Sequence, residues 1–283
     1  MSVFAEKPAA FFDIVVHDIG RSPGLTAASC GYEGGKWRHE ALASYLFEWL
    51  PEFALHYSDL ESMNSATAMR LIKKAAVTVY TTEKYKKRGE FGELLLHALI
   101  REVFNSQPAI SKLYFKTSTN ETVKGFDAVH VVEDGADLEL WLGEVKFYED
   151  VQQAIYAVIP ELKAHTDGDW LRKEFILIDS KIHPGWKHAE ALKKLISDRT
   201  SLDVIFKRTC IPVLLTYDSE CVNLHSEVTA AFTTALKAEL ESIHADFTGR
   251  ELPPIRVHLF LVPLACKKVL LEVLQQKLEG LQR

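Results

Sequence analysis

Apolar and polar positions are most regular between residues 124 and 150, where KGFDAVHVVEDGADLELWLGEVKFYED sets two β-branched, aromatic or apolar runs on either side of Asp134-Gly135-Ala136-Asp137. That pattern predicts a β-hairpin. With the turn centred between Gly135 and Ala136, residues whose numbers sum to 271 face each other, so Asp127 faces Glu144. Side chains alternate along a strand, which puts Leu140, Leu142, Glu144 and Lys146 on one face, matched by Gly125, Asp127, Val129 and Val131 on the partner strand.

Elsewhere the apolar period is that of helices. Over residues 89–104, apolar side chains cover most of a helical projection and leave one polar stripe of Glu90, Glu93, His97 and Arg101. The stripe reads as the solvent side of a mostly buried helix or as a source of ligands. A helix over 149–162, ending near Pro160, sets Gln152 and Tyr156 on one face. Before the hairpin, FFDIVVHDI predicts a strand, followed by a Gly-rich loop, a helical run broken at Pro51, and a helix over 66–79. After it, FILID, IPVLLTYD and IRVHLFLVPL predict strands between helices at 187–196, 226–243 and 266–281. Apolar strands between amphipathic helices imply an α/β layering with a mostly covered sheet.

Composition narrows the chemistry. The chain has 283 residues, 47% hydrophobic and 25% charged, enough to bury a substantial core. Cys30, Cys210, Cys221 and Cys266 show neither metal-ligand spacing nor a disulfide framework, which fits a reducing cytoplasm. His183, His188, His225, His244 and His258 share no spacing with acids or cysteines. No apolar run reaches the roughly 20 residues that span a bilayer, and no Walker-type glycine loop is present, so any ATP-driven step belongs to another protein. A net charge of −6 opposes unaided binding to nucleic acid, although Lys84, Lys86, Lys87 and Arg88 form a basic cluster able to meet its backbone.

Two carboxylates facing each other across a hairpin repel, unless a cation lies between them. With oxygen ligands and no Cys or His, that cation is a hard one such as Mg²⁺, with Mn²⁺ as a substitute. Lys146 adds positive charge on the same face, and the apolar neighbours Leu140, Leu142, Val129 and Val131 make a merely solvated trio a poor fit.

Asp127, the turn, and Glu144-Val145-Lys146 together resemble the PD-(D/E)xK nuclease superfamily; with GEFGELLLHALI, KGFDAVHV and LWLGEVKFYED the chain more narrowly resembles the HamA family, nuclease subunits of the Hachiman anti-phage defence system. The specific part of this resemblance spans residues 85–156. It implies an α/β restriction-endonuclease-like core, a central mixed sheet flanked by helices, at 81–180, with an N-terminal elaboration at 1–80 and a C-terminal α/β extension at 181–283. It further implies Mg²⁺ held by Asp127, Glu144 and a helix acid, Glu93 or in reserve Glu90, with Lys146 assisting phosphodiester hydrolysis. Gln152 and Tyr156 match the QxxxY element that contacts nucleic acid in RecB-like members. The implied partners are DNA and a helicase subunit, HamB; the competing expectation is a non-catalytic subunit that docks on that helicase.

Overall fold

The computed structural model describes residues 3–79, 89–110, 125–135 and 137–283. The basic cluster Lys84, Lys86, Lys87 and Arg88 lies outside them.

Nine strands are formed among the described residues: β1 (Asp13–Asp18), β2 (Gly24–Ser29), β3 (Tyr32–Glu33), β4 (Lys36–Trp37), β5 (Gln107–Ile110), β6 (Ala128–Asp134), β7 (Asp137–Phe147), β8 (Thr209–Asp218) and β9 (Arg256–Leu264). Seven make one mixed sheet in the order β1-β2-β9-β8-β7-β6-β5, while β3 and β4 form a separate ribbon. β2, β9, β8 and β7 run parallel, and antiparallel pairs flank them. The parallel centre is apolar for a physical reason: β2, β8 and β9 are covered on both faces and are almost wholly buried. The segments 1–80, 81–180 and 181–283 all contribute strands to this one sheet.

On one face lie α1 (His39–Glu48), α2 (Leu50–Ala54), α4 (Ala68–Val79), α5 (Glu90–Phe104) and α12 (Lys267–Gln282), with the short α3 (Tyr57–Glu61) nearby. The opposite face carries α6 (Val151–His165), α7 (Gly168–Lys181), α8 (Ala189–Ile196), α9 (Leu202–Lys207) and α11 (Ala230–Thr248), with α10 (Glu220–Leu224) leading into α11. The helix break at Pro51 occurs where expected, between α1 and α2.

Two of the expected elements take another form, and β2 and β5 are strands the sequence pattern does not single out. FILID is helical, inside α7, rather than a strand. A run of four apolar residues has no period of its own; the Asp167 side chain accepts the N–H groups of Asp169 and Trp170 and starts a helix whose buried residues Leu171, Glu174, Phe175 and Ile178 recur at helical spacing. α6 also runs through Pro160 to His165 rather than stopping there. Pro160 is exposed, and Tyr156, the residue whose carbonyl its ring leaves unbonded, is 81% exposed.

α5 packs flush on β7. A Cβ placed on Gly92 would lie 2.7 Å from Val145 Cγ1 and 2.8 Å from Phe147 Cβ. Gly92→Ala is therefore expected to lower stability in urea denaturation by about 1–3 kcal/mol, the usual cost of overpacking. Gly280→Ala, which meets open space in α12, should instead gain up to about 1 kcal/mol from helix propensity.

Candidate metal centre

The hairpin register sets the site. Every pair from Ala128↔Gly143 to Asp134↔Asp137 sums to 271, and the turn uses Gly135 at φ +62°, a conformation that favours glycine. Asp127 lies one residue beyond the last ladder pair: its N–H donates to the Gly143 carbonyl at 2.7 Å, one residue short of a continued register, and its Oδ2 accepts the Val145 N–H at 2.8 Å. Asp127 and Glu144 thus sit beside each other at the end of the ladder, close enough that the charge on Asp127 raises the pKa of Glu144.

Alternation sends Val145 and Phe147 toward α5, and Glu144 and Lys146 toward α6. Glu144 is 2% exposed. Burial first, and Asp127 second, push its pKa up to about 7, against the bond to His165 and the charge of Lys146. His165, the last residue of α6, bonds Glu144 Oε1 through Nδ1. Burial opposes charge on this imidazole, but the bond to Glu144 outweighs it and its pKa is raised. Lys146 Nζ pairs with Glu161 Oε2, also on α6, whose side chain is half exposed.

The imidazole is held firmly. Its ring stacks on Trp170 at 4.2 Å and 13°, and meets Phe126 edge-on at 5.4 Å. Neither His165 nor Glu161 is among the candidate residues of the sequence, whose expected helix over 149–162 stops short of His165. The available signal was spacing: Glu161 and His165 are four apart, beside the buried Ala154, Val158 and Leu162.

The remaining expected residues are placed differently. Gln152 is exposed and Tyr156 is 81% exposed, on the face of α6 turned away from its buried residues, so the structure does not bring this pair to the acids. Glu93 is buried on α5, which covers the Val145 and Phe147 side of β7, and Glu90 is partly buried in its first turn. Among the described residues, no group of three or more His, Cys, Asp or Glu side chains is placed to hold a metal. Asp127 and Glu144 remain, a pair of hard oxygen donors, one of them buried, with Asp127 Oδ2 accepting the Val145 N–H and Glu144 Oε1 bonded to His165. Two carboxylates suit Mg²⁺, which keeps several waters and is usually bound through one or two carboxylates with substrate phosphates.

The polar stripe of α5 is not its solvent side. Glu93, His97 and Arg101 are all buried. Arg101 Nε and Nη2 bond Glu52 at 2.6 and 3.1 Å, and its guanidinium also reaches the carbonyls of Ser106 and Phe4. His97 Nε2 lies 3.1 Å from Glu52 Oε1, and its Nδ1 bonds His130 Nε2 at 3.2 Å. Burial alone would raise the pKa of Glu52, but His97 and Arg101 bring it below the usual carboxylate value.

Anti-bacteriophage protein A of Escherichia coli (strain K12) is 27% identical over 134 residues, 47% of this chain and 24% of that protein, so the match spans about a quarter of the relative's length. The family model described as HamA matches residues 9–278, a span that takes in every strand of the sheet together with Asp127, Glu144, Lys146 and His165. On that match the chain belongs to the HamA family.

Proposed function

We propose that the protein is a metal-dependent deoxyribonuclease of the PD-(D/E)xK type, acting in anti-phage defence under the control of a helicase partner of the HamB kind. The observation that carries this reading is the placement of the buried Glu144 beside Asp127, with Lys146 on the face of Glu144. Family membership and the name of the E. coli relative support the defence role.

Asp127 and Glu144 would hold Mg²⁺ or Mn²⁺. When bound, the ion supplies Lewis-acid charge to the phosphate and to the attacking water. Asp127 is oriented by the Val145 N–H, so the backbone of the strand that carries Glu144 also aims its partner acid. Lys146, largely buried, offers a localised cation; exchange of Glu161 for a phosphate oxygen would leave its ammonium paired with the substrate. A helicase would bring DNA to a chain whose own net charge is −6. It would restrain cutting only by binding the inactive arrangement more tightly than the active one.

Purified protein, alone and with the helicase, should nick or cut plasmid DNA in Mg²⁺ but not in EDTA, and the pair should respond to ATP only when the partner's ATPase is intact. The second reading, a non-catalytic docking subunit, is favoured by one observation, the lack of a three-ligand set among the described residues. Mn²⁺ binding with no cleavage of any DNA under all these conditions would establish it. Lys146→Ala is expected to lose cleavage yet keep Mn²⁺ binding, since an ammonium is not a metal ligand; loss of binding in folded protein would remove the role given to Lys146.

A further inference from the structure

Resting on the reading of Asp127 and Glu144 as metal-holding residues, we infer that His165 is the positioning residue of the centre: it fixes the Glu144 carboxylate so that the two acids present a set bite to a divalent cation. Three separate elements make this arrangement. The ring stands at the C-terminal end of α6, stacked on Trp170 from the first turn of α7, and Phe126, immediately before Asp127, closes on both rings. Trp170 is itself anchored, because its N–H donates to the Asp167 cap at 3.1 Å. With its plane set by two aromatic neighbours, the imidazole has one productive direction for Nδ1, and that direction leads to Glu144 Oε1.

The bond has a physical purpose that packing alone does not explain. A buried carboxylate beside a second acid is repelled by it, and the bond from His165 to Oε1 holds the carboxylate in place against that repulsion. Phe126 also ties the two acids mechanically: it touches the ring that holds Glu144 and is joined through the chain to Asp127.

The test uses the full-length protein freed of metal and titrated with Mn²⁺ alone by calorimetry, alongside plasmid cleavage and thermal melting. His165→Leu keeps an apolar body against Trp170 but removes the donor; His165→Asn returns an N–H near the position of Nδ1. Outer partners of metal ligands commonly count for about 10–100-fold in affinity. We expect His165→Leu to weaken Mn²⁺ binding by at least about tenfold, and His165→Asn to recover most of that loss while melting near the wild type. Equal Mn²⁺ affinity in the Leu variant and the wild type overturns the inference and leaves the nuclease reading standing. An Asn variant as weak as the Leu variant, in folded protein, also overturns it, because the ring rather than the bond would then matter. Wild-type protein that neither binds Mn²⁺ nor cuts DNA overturns the underlying reading.

Discussion

Glu144→Gln is expected to reduce DNA cleavage on the order of 10³-fold or more, a scale typical of single groups acting at the transition state, and to do so without loss of folding. The amide keeps an oxygen to accept from His165 and nearly the same volume, but it removes the charge that a divalent ion needs. Asp127→Asn should act alike, since its carbonyl still accepts the Val145 N–H; Asp127→Ala would add the cost of an unmade backbone bond and is the poorer test. Stability gives a second, independent readout. The pKa of Glu144 is raised to about 7 in the folded protein, whereas the unfolded chain ionises near the ordinary carboxylate value. Between those values the folded state binds more protons than the unfolded one, so this group's contribution to stability falls as pH rises, and the penalty is complete above about 7. Glu144→Gln should therefore melt at or above the wild-type temperature in EDTA, with an advantage that is larger at pH 8 than at pH 5. Wild-type cleavage in either isosteric variant, or an advantage that shrinks as pH rises, would show the site assignment to be wrong.

The second large effect lies away from the chemistry. Arg101→Met is expected to destabilise the protein by about 3–5 kcal/mol, the cost of breaking one partner out of a buried ion pair. Arg101 is fully buried, and its loss strands the Glu52 carboxylate as well as the Ser106 and Phe4 carbonyls. For a chain of this size the melting temperature should fall by about 10 °C. Glu52→Gln combined with Arg101→Met should recover at least about 1 kcal/mol, because the stranded charge is gone. A loss below about 1 kcal/mol in the single variant would mean that Glu52 finds water or another donor. Cleavage should fall with stability, because α5 supports β7 through Val145 and Phe147, the neighbours of Glu144 and Lys146.

Much of the candidate centre is legible in the chain itself because the information is local. A strand has period two and a two-residue turn permits one register, so the turn at Gly135 is enough to set the ladder as far as Ala128↔Gly143, with Asp127 beside Glu144 just past its end and Lys146 on the face of Glu144. The layering of covered strands between helices is likewise written in continuous apolar runs such as those of β8 and β9. What surrounds the acids is not local. Whether Pro160 stops a helix depends on whether the carbonyl it frees faces water, and that is decided by the sheet against which α6 lies; only the continued helix delivers Glu161 and His165. FILID has no period that separates strand from helix, and it was the Asp167 cap and the burial of Phe175 and Ile178 that chose. The α5 stripe has the same polar residues whether it faces solvent or core. Its burial required Glu52, Ser106 and Phe4 to arrive from other segments and satisfy Arg101, since an unpaired guanidinium could not have been buried there.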